Sequence, residues 1–543
     1  MLRRIRTKLN IFTIVSVIAG LLIIIPLLNI FVELRQPASD VWIHIRTYLL
    51  ARYLRNTFIL IFYVALLSSV LGFFAAYIIT RFDFKGRKAL SWMLILPLAI
   101  PSYIMGYVYG DMMSYSGSVS RFFRSIGYYG YINVMTMQGA IIIFSLTLYP
   151  YVYMMVRGAL LKQSASFSEG AQLLGASKWR VFWRIVLPLA RPALVAGTLL
   201  VILETLNDYG LVEYFNVQVF SFAIFNAWFS FGDVLSAIRL SAILMLIVFA
   251  IVFLERAIRG RRRYHLHTKT RPVKRVPLKG MQKLYPIILW TILFIAFFIP
   301  VLQLLWFTRF ARYGLFNLNI VYIIINSISI AVFATLITVI IALMLANFNR
   351  GRMSSIKKSW LKITNLGYAI PGAVLAIAVN IFFIDLDRLL YPVYQLFNPE
   401  TGRLVISLTL TMLIFAYVLR FMAIGYNSIE ASYDKIGESF TEAAYALKSS
   451  KIKTLMKIDF PLIKTGLLSA AIIVFIDVIK ELPLTLILRP TNYNTMATIV
   501  HEYASDEMLV EASIPALVLI LVSSIMIYIL THAKSKRGAS NVR

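Results

Sequence analysis

Ser166-Phe-Ser-Glu-Gly-Ala171 and Ser439-Phe-Thr-Glu-Ala-Ala444 are one hexapeptide written twice, 273 residues apart. The repetition extends outward from them. Asn56-Thr-Phe recurs as Asn326-Ser-Ile, and Leu96-Pro-Leu-Ala-Ile-Pro101 as Leu366-Gly-Tyr-Ala-Ile-Pro371, both at an offset of 270. Ordered matches at nearly constant offset across three unlike segments mark a duplication rather than a chance alignment of greasy helices. Between them lie apolar runs near 11–31, 56–80, 90–110, 135–157, 187–206 and 236–255. A second set lies near 285–308, 320–346, 362–384, 404–424, 462–488 and 513–531. The expected fold is an all-α polytopic membrane protein of about 12 transmembrane helices in two six-helix halves. An even number of spans per half sets both halves in the membrane the same way up. The halves are 1–258 and 285–543, joined by a basic linker, 259–284, in which Pro272, Pro277 and Gly280 break any helix.

Composition agrees. Of 543 residues, 60% are hydrophobic and 14% charged, where soluble domains carry about 25% charged residues. At roughly 20 apolar residues per span, a dozen spans leave room for loops but for no large extramembrane domain. The net charge of +30, from 54 Lys and Arg against 24 acidic residues, would in a soluble protein suggest nucleic acid. Here most basic residues crowd the N-terminal tail, 81–88, 157–191, 256–283, 350–362, 420–464 and the C-terminal tail. That is the signature of cytoplasmic loops, so both termini are expected in the cytoplasm and nucleic acid is not expected as a partner. The first run reads as an uncleaved span rather than a signal peptide, since no small-residue cleavage site precedes Glu33. With no cysteine there is no disulfide or thiolate metal site. The five His are scattered, and His265 and His267 read as solvated linker.

Both hexapeptides fall in expected cytoplasmic loops. Ser166-x-x-Glu169 and Ser439-x-x-Glu442 have capping-box spacing, so a short helix should start at each. Gly175 is suited to the left-handed turn that ends the first. A second helical stretch should run from Ser177 to Val186 before Pro188, and again from Ser450 to Asp459 before Pro461. Paired rigid helices projecting from a membrane suggest docking onto a partner.

These residues resemble the EAA loop of binding-protein-dependent ATP-binding-cassette (ABC) importer permeases. Glu169-Gly-Ala171, Gly175 and Ile185-Val-Leu-Pro188 form one copy (166–188), and Glu442-Ala-Ala444 with Ile458-Asp-Phe-Pro461 a second (439–461). The resemblance implies a type I ABC importer permease fold covering nearly the whole chain as two fused halves. It also implies ATPase-coupling roles for Glu169, Gly170, Ala171 and Gly175, and for Glu442, Ala443, Ala444 and Lys448. Gly170 replaces the usual first Ala. Lys448 stands where the family has Gly, which predicts a differently turned second loop and unequal coupling. The implied partners are a cytoplasmic ABC ATPase dimer and a periplasmic or lipid-anchored substrate-binding protein, at a bacterial inner membrane. The chain has no Gly-x-x-x-x-Gly-Lys-[Ser/Thr] cradle and no hydrolase motif. It is therefore expected to be no enzyme and to carry no cofactor, with ATP and Mg on the separate ATPase.

Carboxylates within or beside spans are costly and suggest function. Glu204 and Asp208 end the fifth span, and Asp477 and Glu481 stand at the same places in the eleventh. Spacing i, i+4 puts each pair on one helix face, so four acids are expected to line a central path. Asp208 and Glu481 read equally as helix-end carboxylates partnered by Lys480 and Arg489, and for Glu204 and Asp477 that helix-end reading is the favoured one. Lys480-Glu-Leu-Pro-Leu-Thr-Leu-Ile-Leu-Arg-Pro490, Glu502-Tyr-Ala-Ser-Asp-Glu507 and Leu203-Glu-Thr-Leu-Asn-Asp-Tyr-Gly210 resemble ferric iron (Fe3+) transport permeases. That resemblance implies ferric iron as cargo, and a hard cation does favour oxygen ligands. Thiamine, a polyamine or an oxyanion on the same machinery stays open. A channel or secondary transporter gives no reason for the paired cytoplasmic helices, and a membrane enzyme would need a clustered constellation that the sequence does not show.

Overall fold

The repeat reappears helix by helix in the computed structural model, which describes residues 11–130, 133–162, 165–259, 275–312, 314, 317–349, 360, 367–436 and 439–538. The first half runs α1 (Ile11–Glu33), α2 (Leu50–Arg81), α3 (Ser102–Met113), α4 (Met137–Lys162), α5 (Ala165–Leu173), α6 (Lys178–Val181), α7 (Leu187–Asn207), α8 (Gly210–Tyr214) and α9 (Val234–Arg259). The second runs α10 (Leu284–Leu293), α11 (Ile299–Phe307), α12 (Leu318–Asn349), α13 (Gly372–Phe397), α14 (Leu410–Ile436), α15 (Ser439–Ala446), α16 (Lys451–Thr454), α17 (Phe460–Ile479), α18 (Pro483–Leu488), α19 (Met496–Ser505) and α20 (Leu509–Gly538). Most of the linker falls outside the described residues. Its end forms β2 (Val276–Pro277), pairing in parallel with β1 (Phe82–Asp83) of the first half.

Each half is built on a three-helix core, α2, α4 and α7 in one and α12, α14 and α17 in the other. The duplication extends to burial. Thr57, Leu60, Val64, Ser68, Gly72 and Ala76 are the buried face of α2, and Ser327, Ile330, Ala334, Thr338, Ala342 and Ala346 are that of α12. A seam of mostly small side chains at helical spacing lets helices approach closely where no water drives them together. The opening helix of each half crosses to the other. α1 packs on α12 and α13, while Tyr285 of α10 stacks edge-on against Phe74 and Phe82, and α11 packs on α3 as well as α20.

Among the described residues ten helices are long and apolar enough to cross a membrane, or eleven if Arg87–Ala99 and Ser102–Ser125, bent by 87°, count as one span. The break lies at Ile100-Pro101. Proline pushes the residue before it out of the helical region and supplies no N–H, and Ile100 is extended with Pro101 capping α3. The span expected at 362–384 lies partly on residues outside the described set. Its described part is broken alike, with Pro371 capping α13 at nearly the backbone angles of Pro101.

Candidate functional site: a central cavity and two surface loops

Where the halves meet, a cavity of about 690 Å³, its open mouth included, is lined by Glu204, Asp208, Asp477 and Glu481 together. All four acids expected on one path therefore share one space. The way they reach it differs from the expectation. α7 ends at Asn207 and α17 at Ile479, and Asp208 has extended backbone. Asp208 and Glu481 thus leave from the connection after each helix, not from its face. There each does the same local job. The Asp208 Oδ1 accepts the Leu211 N–H at 2.9 Å, at the start of α8. The Glu481 carboxylate accepts the N–H groups of Leu484 and Thr485 at 3.1 Å, at the start of α18. Orphan amides at a helix start attract negative charge.

The four acids are not compensated alike. Lys480 Nζ lies 3.1 Å from Asp477, as the helix-end reading requires, and Arg420, which sequence reading missed, lies 4.0 Å from Glu481. Arg420 sits mid-helix in α14, with no local motif to flag it. Arg489, the other expected partner, pairs instead with Glu502 and Asn494. Among the described residues no Lys or Arg pairs with Glu204 or Asp208. Glu204 accepts a 2.6 Å hydrogen bond from the Tyr368 hydroxyl. No group of three or more His, Asp or Glu among the described residues could hold a metal ion.

The two hexapeptide loops lie one long helix away, at the other ends of α7 and α17. The expected short helices are α5 and α15, and the capping boxes expected at Ser166 and Ser439 sit beside 163–164 and 437–438, outside the described residues. The second stretch of each loop is as expected. Ser177 caps α6, accepting from the Arg180 N–H at 3.3 Å, and Ser450 caps α16 through Lys453 at the same distance. A wide π-helical turn follows, Phe182–Val186 and Leu455–Asp459. It comes just before Pro188 and Pro461, whose rings crowd the preceding carbonyls of a regular helix.

The expectation of a differently turned second loop is overturned. Lys448 has φ 58° and Gly175 φ 84°. The closing bonds also match: Ala176 N–H to Ala171 O at 2.9 Å, and Ser449 N–H to Ala444 O at 3.0 Å. Both ends are left-handed closures of one kind, and Lys448 bears the conformation despite its Cβ. Glu169 and Glu442 are exposed. Leu174 is 91% exposed and its repeat Leu447 85%. Trp179 and Ile452, and Trp183 and Met456, are likewise exposed at matched positions. These apolar pairs went unnoticed in the sequence, where they look like ordinary helix faces.

Long apolar helices, a duplicated half and a shared polar cavity define a multi-pass membrane transport component. The family model for binding-protein-dependent transport system inner membrane components matches residues 68–264 and 338–537, two copies starting 270 residues apart. The chain belongs to that family: it is an ABC importer permease, and ATP hydrolysis falls to a separate subunit. It is 28% identical over 491 residues to the Fe(3+)-transport system permease protein FbpB 2 of Haemophilus influenzae, covering 89% of this chain and 90% of that one. The sulfate transport system permease protein CysT of Escherichia coli is 28% identical over 197 residues, 35% of this chain and 69% of that one. Among solved structures, a bacterial ABC transporter involved in alginate import aligns with TM-score 0.36 and 17% identity, over 47% of this chain and 94% of that one.

Proposed function

We propose that this chain is the membrane permease of an ATP-driven importer that passes ferric iron from an external binding protein into the cytoplasm by alternating access. The observation that carries the reading is the pair of acids, Glu204 and Asp208, that face the shared cavity with no basic partner among the described residues. Arg420 and Lys480 are each engaged by an acid of their own, which leaves the wall an excess of oxygen anions suited to a hard cation. The relative that aligns over most of this chain is an Fe(3+)-transport permease by name.

The exposed pairs Leu174/Leu447, Trp179/Ile452 and Trp183/Met456 form the surface that receives an ATPase dimer, with Glu169, Gly170, Ala171, Gly175, Glu442, Ala443, Ala444 and Lys448 setting its shape. Exposed apolar patches rimmed by polar residues suit a protein partner. That side is cytoplasmic by its basic residues, and with it both termini, in a bacterial inner membrane. The test is accumulation of labelled ferric iron, thiamine and sulfate in cells whose only importer contains this chain. Iron should accumulate, and only while the ATPase is present. Accumulation of thiamine or sulfate without iron would overturn the cargo.

A further inference from the structure

Tyr103 stands in the second position of α3, directly after the proline break, and lines the cavity with Glu204 and Asp208. Its side chain is 3% exposed, and its hydroxyl has no hydrogen-bond partner among the described residues. That hydroxyl lies within electrostatic reach of both Asp208 and Glu481. A buried phenol left without a partner is costly and asks for an explanation. The local packing holds it there. A side chain at Gly210 would bring its Cβ to 2.7 Å from the Tyr103 Cβ, so glycine at the start of α8 is what lets Tyr103 close on the cavity. The second half has no counterpart: Ala373 stands at the corresponding place in α13.

We propose that Tyr103 is a direct, specificity-determining ligand of the cargo, joining Asp208 in an oxygen site on the first-half wall of the cavity. The proposal rests on the iron reading above. A phenol oxygen is a hard donor that suits a trivalent ion far better than an organic cation. As it binds, the Tyr103 Oη–H bond breaks, an iron–oxygen bond to the phenolate replaces one to a water of the incoming ion, and the released water takes the proton. No electron changes hands. A carboxylate and a phenolate make an incomplete coordination shell, suited to a cargo that must leave again.

The test uses the full permease with its ATPase, given ferric citrate, with the binding protein added for the uptake assays. Iron–phenolate coordination absorbs visible light, so the wild type should gain a visible band on loading and Tyr103→Phe should lack it. In uptake assays Tyr103→Phe should raise KM about fivefold with little change in kcat, the mark of a lost binding contact. Tyr149→Phe removes another buried hydroxyl without a partner, outside the cavity, and should keep both band and uptake. A wild type that imports iron without the band, or a Tyr103→Phe variant equal to wild type in band and KM, would overturn the assignment. A wild type that neither binds nor imports iron would instead overturn the cargo itself, and the assignment with it.

Discussion

Glu204 and Asp208 have no basic partner among the described residues, whereas their repeats do: Lys480, expected from the sequence, pairs with Asp477, and Arg420, which no local pattern flags, stands by Glu481. A unit charge pair at about 4 Å and an effective dielectric near 20 is worth about 4 kcal/mol. Glu204→Gln with Asp208→Asn should therefore cut iron uptake at least roughly tenfold, while co-purification with the ATPase is unchanged. Uptake within twofold of wild type would reduce both acids to helix-end caps. At the other side of the molecule, Lys448 holds a left-handed conformation that costs a residue with a Cβ roughly 1–2 kcal/mol. Lys448→Gly should raise ATPase retention or leave it intact. Gly175→Val and Lys448→Val should both weaken it, because the two turns are the same. A loss confined to Gly175→Val, measured by pull-down at matched expression, would speak for the unequal loops that the sequence suggests.

The elements were legible where a signal is local. Ser177 and Ser450 and the prolines behind them mark helix starts that the structure places as expected, whereas the apolar runs locate helices but not their ends, 404–424 being the helix Leu410–Ile436. The breaks at Pro101 and Pro371 were written in the repeat itself, as Ala-Ile-Pro, but an apolar run hides a bend because hydropathy ignores backbone geometry. The outer part of α13 carries a feature no pattern announced. Asp387, fully buried, accepts the N–H groups of Val405 and Ser407 at 3.1 and 2.8 Å and the Tyr394 hydroxyl at 2.9 Å, binding the loop after α13 back onto it. Its ligands are backbone groups about 20 residues away, invisible to any motif. Hydrogen bonds to a charged group contribute about 1.5–3 kcal/mol each, so Asp387→Ala should free this loop. Limited proteolysis should then cut within 398–408 at least several times faster than in wild type, and an unchanged digest would show that other packing holds it.

At the scale of the whole molecule, duplication and membrane class were readable from composition and offset, whereas the crossing of α1 and of α10–α11 was not. Which neighbour a uniformly apolar helix chooses is decided by shape, not by pattern. The crossing has a consequence for assembly. Since each half lends its first helix to the other, the two halves expressed as separate chains cut within 260–274 should co-purify and still transport. Halves that fail to associate would show that the linker itself holds them together. The central claim is that the chain moves ferric iron through a cavity whose first-half acids have no basic partner among the described residues. The most direct measurement is ATP-dependent entry of labelled ferric iron into proteoliposomes holding this chain, its ATPase and its binding protein. The account predicts entry that needs ATP and is lost in the Glu204→Gln, Asp208→Asn double variant. Entry without ATP, or undiminished in that variant, would contradict it.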